Sequence, residues 1–202
     1  MTKGEKTRER ILEIAEASVL QKGFAATSID ELTAAADITK SGFLYHFKDK
    51  TDLAKQLLVR YHKRDDEFFD SLFKRADELS DDPLQAYLIF FRLMAESLDD
   101  LPNTHPGCLA AAYSYQENLF NRDIRDLNKT GMLSWRTRFQ ARLERVAEKY
   151  PPKGDVDLRE LADNVIALIE GGIVMSKAMG EKGLLKQQLL LGRDYIKRIF
   201  EN

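Results

Sequence analysis

Apolar residues in this chain recur three and four positions apart almost from end to end, and no stretch alternates residue by residue as a half-buried strand must. That single period commits the chain to an all-α fold, and 202 residues supply about nine helices. A chain of this size buries roughly 70% of the surface its unfolded form exposes. The spacing predicts helices over 7–22, 28–36, 40–47 and from 49 as far as 79. Further helices follow over 83–98, 108–118, 122–149, 157–180 and 183–200. Start and stop residues mark several of these ends. Gly23 closes the first helix. Ser28 with Glu31 three positions on reads as a capping box, and Asp37-Ile38 turns the chain. Thr39 and Asp49 stand at cap positions, with Asp52 third in the helix that Asp49 opens. Asp82-Pro83 pairs a cap with proline at the first helical position. The run LPNTHPG at 101–107 is a loop, and Pro151-Pro152 is another break. Gly131 costs roughly 1 kcal/mol relative to alanine inside a helix, so a break is expected to be tolerated there.

Charge divides the chain unevenly. Residues 1–64 hold 12 Lys+Arg and 9 Asp+Glu, a net of +3, whereas residues 65–202 carry a net of −5. The overall charge of −2 therefore hides a basic head and an acidic body. One cysteine excludes a disulfide scaffold and a multi-cysteine zinc site, and suits a reducing cytoplasm. No run of 18 apolar residues suggests a membrane span, and the N-terminal segment lacks the apolar core of a signal peptide. The expectation is a cytoplasmic protein without membrane contact. No glycine-rich phosphate loop, H-E-x-x-H, G-x-S-x-G or paired-carboxylate pattern occurs, so nothing points to an enzyme or a cofactor. His105 and Cys108 lie close in sequence, but two ligands do not make a metal site. Cys108 is read as a small buried hydrophobe, with an oxidant-sensing thiolate as the alternative.

The basic head contains a short helix, a tight turn and a second short helix over 28–47, the length of a helix-turn-helix. At about 100° per residue, Phe43 and Phe47 mark the buried side of the second helix. Ser41 and Tyr45 then face outward, with Lys48 just beyond. Lys40 in the first turn can donate to guanine N7 and O6. Ser41 can reach a base edge or phosphate, and Gly42 lets the backbone approach the groove. Tyr45 and His46 can donate to phosphate oxygens, or pack beneath the first helix instead. Lys50 and the N–H groups opening the next helix form a further phosphate site, as do Thr27 and Ser28. Thr39 and Leu44 complete the expected DNA-contact set.

The wider stretch from Gly23 to Leu53 strongly resembles the N-terminal domain of the TetR family of transcriptional regulators. The shared marks are Gly23-Phe24, Thr27-Ser28-Ile29, Leu32, Ala36, Ile38, Tyr45-His46-Phe47, Lys50 and Leu53. The resemblance covers 7–61. Leu44, where many members carry an aromatic, and Ser41-Gly42 in the recognition helix depart from the family pattern. The resemblance implies a helix-turn-helix domain over 1–50 and a helical effector-binding and dimerisation domain over 51–202. It also implies a homodimer through the last two helices, whose broad apolar faces agree with that. Partners are then double-stranded palindromic operator DNA and an unidentified small-molecule effector that releases it, in the manner of a repressor. Phe69, Phe73, Phe90, Met94, Cys108, Tyr113, Trp135 and Phe139 are the expected effector-binding residues, though each also reads as ordinary core. The alternative is a small-molecule-binding protein or enzyme whose helix-turn-helix is only structural.

Overall fold

The computed structural model describes residues 2–201, and every regular element among them is helical. The order is α1 (Lys3–Lys22), α2 (Ile29–Ala35), α3 (Lys40–His46), α4 (Lys50–Leu79), α5 (Pro83–Asp99) and α6 (Leu109–Tyr115). A 3₁₀ turn (Glu117–Leu119) precedes α7 (Arg122–Lys149), α8 (Leu158–Met179) and α9 (Gly183–Phe200).

Most ends fall where the capping chemistry puts them. Thr39 Oγ1 accepts the Gly42 N–H, Asp82 accepts from the Gln85 N–H, and Asp157 accepts from both Arg159 and Glu160. Helix α6 ends at Tyr115, three residues short of 118, where the 3₁₀ turn takes over, and two other ends also differ from the sequence pattern. Helix α1 begins four residues earlier than its apolar period indicates, because Thr2 and Glu5 form a reciprocal capping box in a stretch with no apolar face. At α2 the box is only half made. Ser28 accepts the Glu31 N–H, but the Glu31 carboxylate turns to Lys22 at 2.5 Å. Gly131 does not interrupt α7. Its missing side chain leaves room for the buried imidazole of His62, which a Cβ there would strike.

The chain packs as two compact units. The first runs to Arg64 and adds Pro106–Gly131, so it holds α1, α2, α3, the first half of α4, α6 and the start of α7. Its core is Ile11, Leu12, Val19, Leu32, Phe43, Phe47, Leu53, Leu57 and Leu58, all buried. An ion-pair cluster ties α1 to α4. Arg60 donates to Glu9 at 2.5 Å and to Glu16 at 2.6 Å, and Arg64 donates to Glu16 at 2.6 Å.

The second unit holds the rest of α4 and α7 with α5, α8 and α9. Helix α9 packs on both α5 and α8. Two glycines allow this: a Cβ on Gly172 would lie 2.8 Å from Leu185, and one on Gly192 would lie 3.0 Å from Leu168. Helices α4 and α7 therefore each contribute to both units.

Candidate functional site

The exposed face of α3 follows from how the helix is anchored. Phe43 and Phe47 are fully buried, with ring centroids 5.3 Å apart, and the Arg8 guanidinium lies 5.7 Å from the Phe47 ring. With Phe43 inward, the 3.6-residue period turns Ser41, Leu44 and Tyr45 outward, and Lys48, just past the helix end, is exposed as well. Leu44 is 50% exposed and Tyr45 83%, large fractions for side chains with that much apolar surface. Thr39 Oγ1 also lies 2.9 Å from Ser41 Oγ, which fixes the helix entry. The Lys40 ammonium stands 3.7 Å from Asp30, both highly exposed, a pairing weak enough for a stronger anion to replace. A Cβ on Gly42 would meet only Thr39 Oγ1 at 3.4 Å and Ile38 at 3.6 Å. The fold itself does not require glycine there. His46 is half-buried, edge-on to Tyr45 at 4.9 Å, and faces Gly4 near the start of α1. Thr39, Lys40, Ser41, Leu44, Tyr45 and Lys48 are thus all exposed in and around α3, with His46 half-buried beside them and Ser28 exposed at the start of α2.

Two residues leave the expected contact set. Thr27 is completely buried; its hydroxyl donates to the Gly23 carbonyl at 3.0 Å and lies 2.9 Å from Ser18 Oγ. It is an internal tie between α1 and α2, with no oxygen or proton left to offer a phosphate. Lys50 points back into its own unit. Its ammonium donates to the carbonyls of Phe24 (2.8 Å) and Ala25 (3.3 Å) and lies 4.5 Å from the Phe24 ring centroid. Partial burial lowers its pKa. Asp52 accepts the Lys48 N–H and the Gln56 amide. Burial, which raises its pKa, is outweighed by these bonds, so the carboxylate stays charged at the opening of α4.

The eight expected effector residues separate into two groups. Phe69, Phe73, Phe90, Met94, Trp135 and Phe139 pack within the second unit. Phe73 and Phe90 stack at 3.8 Å, and Phe69 meets Trp135 and Phe139 edge-on. Cys108 and Tyr113 pack within the first unit, a correction to the single set that helical spacing suggested. Cys108 Sγ caps α6 by accepting the Ala111 N–H at 3.4 Å. The Tyr113 hydroxyl donates to the Ala54 carbonyl at 2.8 Å, and its ring stacks on Phe120 at 4.3 Å. Phe73 also lines a surface groove of about 490 Å³ with Asp70, Lys74, Asp77, Glu78 and Arg142. Arg142 in that lining lies 4.4 Å from the Phe73 ring and is bonded to Asp77 at 2.7 and 2.8 Å.

A second exposed apolar surface lies on the last two helices, where Val174, Met175, Met179, Leu191 and Tyr195 all face outward. Among the described residues no cluster of three or more His, Cys, Asp or Glu could hold a metal ion. None of their helices is long and apolar enough to cross a membrane.

The contact not foreseen from the sequence joins Gln116 to the turn at Phe24. Gln116 Oε1 accepts the N–H groups of Phe24 (3.1 Å) and Ala25 (3.4 Å), and the Phe24 ring packs 4.9 Å from Phe120. The Gly23-Phe24 pair was visible in the sequence; its partner, more than 90 residues away, carried no signal.

Comparison with known proteins agrees with this geometry. Residues 11–57 match the family described as bacterial regulatory proteins, tetR family. Residues 83–188 match the C-terminal domain of LmrA/YxaF-like transcriptional regulators. The HTH-type transcriptional repressor DhaR of Mycobacterium sp. (strain GP1) is 25% identical over 90% of this chain and 88% of its own length. The HTH-type transcriptional regulator YxaF of Bacillus subtilis (strain 168) is 24% identical over 90% of this chain and 91% of its own. A TetR-family regulator from Agrobacterium tumefaciens shares the fold with a TM-score of 0.80 at 19% identity, covering 98% of this chain and 99% of that one.

Proposed function

Since the chain belongs to the TetR family of transcriptional regulators, we propose that it is a dimeric repressor whose α3 helices read a palindromic operator and which a small-molecule effector releases. The observation that carries this reading is the outward surface of α3, where Lys40, Ser41, Leu44, Tyr45 and Lys48 surround Gly42 on a helix anchored by Phe43 and Phe47. Lys40 donates to a guanine edge, Ser41 to a base or phosphate, and Tyr45, Lys48 and Ser28 to the backbone. Residues 1–50 carry that surface, and 51–202 carry the effector and dimer functions.

The exposed apolar residues of α8 and α9 support dimerisation. A second copy placed across them covers Val174, Met175, Met179, Leu191 and Tyr195 and doubles the DNA sequence read. The aromatic core of the second unit, beside the surface groove that Phe73 lines, is the effector region. An effector that weakens operator binding a hundredfold needs about 2.7 kcal/mol of coupling, an ordinary allosteric value. It does so by favouring a form whose two α3 helices no longer fit major grooves about 34–36 Å apart. Repression is supported by the name of the DhaR relative, which is called a repressor.

The test is fluorescence anisotropy with the full chain and DNA from upstream of its own gene. Specific binding that saturates at one dimer per site, and weakens steeply with salt, is the expected result. Folded protein with no preference for any upstream fragment at low salt refutes operator recognition.

A further inference from the structure

The peptide Phe24-Ala25, in the turn between α1 and α2, has every backbone polar group engaged by a side chain from elsewhere. Gln116 Oε1 accepts both N–H groups, and Lys50 Nζ donates to both carbonyls. A loop peptide ordinarily gives these groups to water. Here one side chain from the end of α6 and one from the start of α4 grip it from its two polar sides. The Phe24 ring completes the grip, under the Lys50 ammonium and against Phe120 and Tyr113. Gly23 makes the approach possible. It has φ +84°, and a Cβ there would sit 2.5 Å from Gln116 Nε2. Asn128 steadies the segment behind Gln116 by donating to the Ala110 carbonyl and to Ser114 Oγ.

We propose that Gln116 is a positioning residue for DNA recognition: it sets where α2 begins, and through α2 where α3 lies, without itself reaching DNA. This rests on the reading that α3 binds an operator. The path is short. The gripped peptide lies three residues before the Ser28 cap of α2, and α2 packs on both α1 and α3. A shift of the α6 end moves the Gln116 oxygen off the two N–H groups and releases the turn. The recognition surface then keeps its side chains and loses its placement.

The experiment compares the full chain with Gln116→Ala and Gln116→Glu. Three quantities are read: amide exchange at Phe24 and Ala25 without DNA, operator affinity, and Tm. Alanine removes the acceptor. The expected result is exchange roughly tenfold faster at those two amides, operator binding roughly tenfold weaker and a Tm within a few degrees of the parent. Glutamate keeps an acceptor oxygen and is expected to restore both slow exchange and affinity. Unchanged exchange and affinity in Gln116→Ala overturn the proposal. So does a loss of affinity that tracks a falling Tm and is not rescued by glutamate, since that is general destabilisation. If the parent chain binds no operator, the operator reading fails instead, and the exchange data alone then report whether the grip exists.

Discussion

Gly42→Ala separates the needs of the fold from the needs of recognition, because the two predict opposite signs. Within the protein the new methyl has room: its neighbours are Thr39 Oγ1 at 3.4 Å and Ile38 Cβ at 3.6 Å, ordinary contact distances. The backbone at this position is regular α-helix, so alanine meets no strain. Replacing glycine there reduces the freedom of the unfolded chain and stabilises by about 0.5–1 kcal/mol. For a chain of this length that raises Tm by roughly 2–4 °C per kcal/mol. Against DNA the methyl adds bulk to the helix backbone next to the exposed Ser41. If the helix backbone lies close to the groove at this point, the methyl overfills a packed contact at a cost of about 1–3 kcal/mol per half-site. That corresponds to roughly 5- to 150-fold in affinity. Thermal denaturation followed by circular dichroism gives the first number, and anisotropy titration against operator and scrambled DNA gives the second. The reasoning requires a higher Tm together with weaker specific binding. A higher Tm with unchanged operator affinity shows that α3 does not approach DNA at Gly42. A lower Tm shows that Thr39 and Ile38 leave no room for the methyl group.

Three other perturbations test separate parts of the account. Lys40→Ala should leave Tm nearly unchanged, since its pairing with Asp30 is exposed, and should cost about 1–3 kcal/mol at one base pair; equal weakening on every sequence would make it a phosphate contact instead. Lys50→Met should lower Tm while leaving the slope of log K against log salt unchanged, whereas a slope smaller by about 0.9 per protomer would return Lys50 to the phosphate-binding set. Asp82 is held near a pKa of about 2, because burial, which raises it, is outweighed by bonds from Lys149, Tyr150 and the Gln85 N–H. A lowered folded-state pKa stabilises above the unfolded value and is lost as pH falls through the folded one. Asp82→Asn should therefore cost on the order of 1 kcal/mol at neutral pH, and urea midpoints of mutant and parent should converge as pH drops from about 4 to about 2.

Much of the fold was legible because its signals are local. Asp82-Pro83 opens α5, Asp157 opens α8, and Gly180 closes α8 with φ +70°. Each involves groups within four residues of one another, which the sequence places together whatever the rest of the chain does. The same holds for the outward face of α3. With Phe43 and Phe47 inward, the helical period alone places Ser41 and Tyr45 outside. The errors were equally systematic. Thr27 and Lys50 carry the right chemistry for phosphate and are used instead on Ser18, Gly23, Phe24 and Ala25. Glu31 has the spacing of a capping box and pairs with Lys22. In each case the side chain is engaged by a partner that folding brings to it.

The sequence by itself determined the all-α class, the order and most ends of the helices, and which face of α3 is polar and outward. Those follow from periodicity and capping, which act over one or two turns. Only the tertiary structure decided that Gly131 accommodates His62 without a break, and that Cys108 and Tyr113 pack apart from the six other aromatic and apolar residues grouped with them. It alone showed that Gln116 and Lys50 grip the turn after α1. These pairings join residues from about 25 to more than 90 positions apart, as with Lys50 and Ala25 or Gln116 and Phe24. A helical period fixes the direction of a side chain around its own axis. What that side chain meets is set by where the other helices pack.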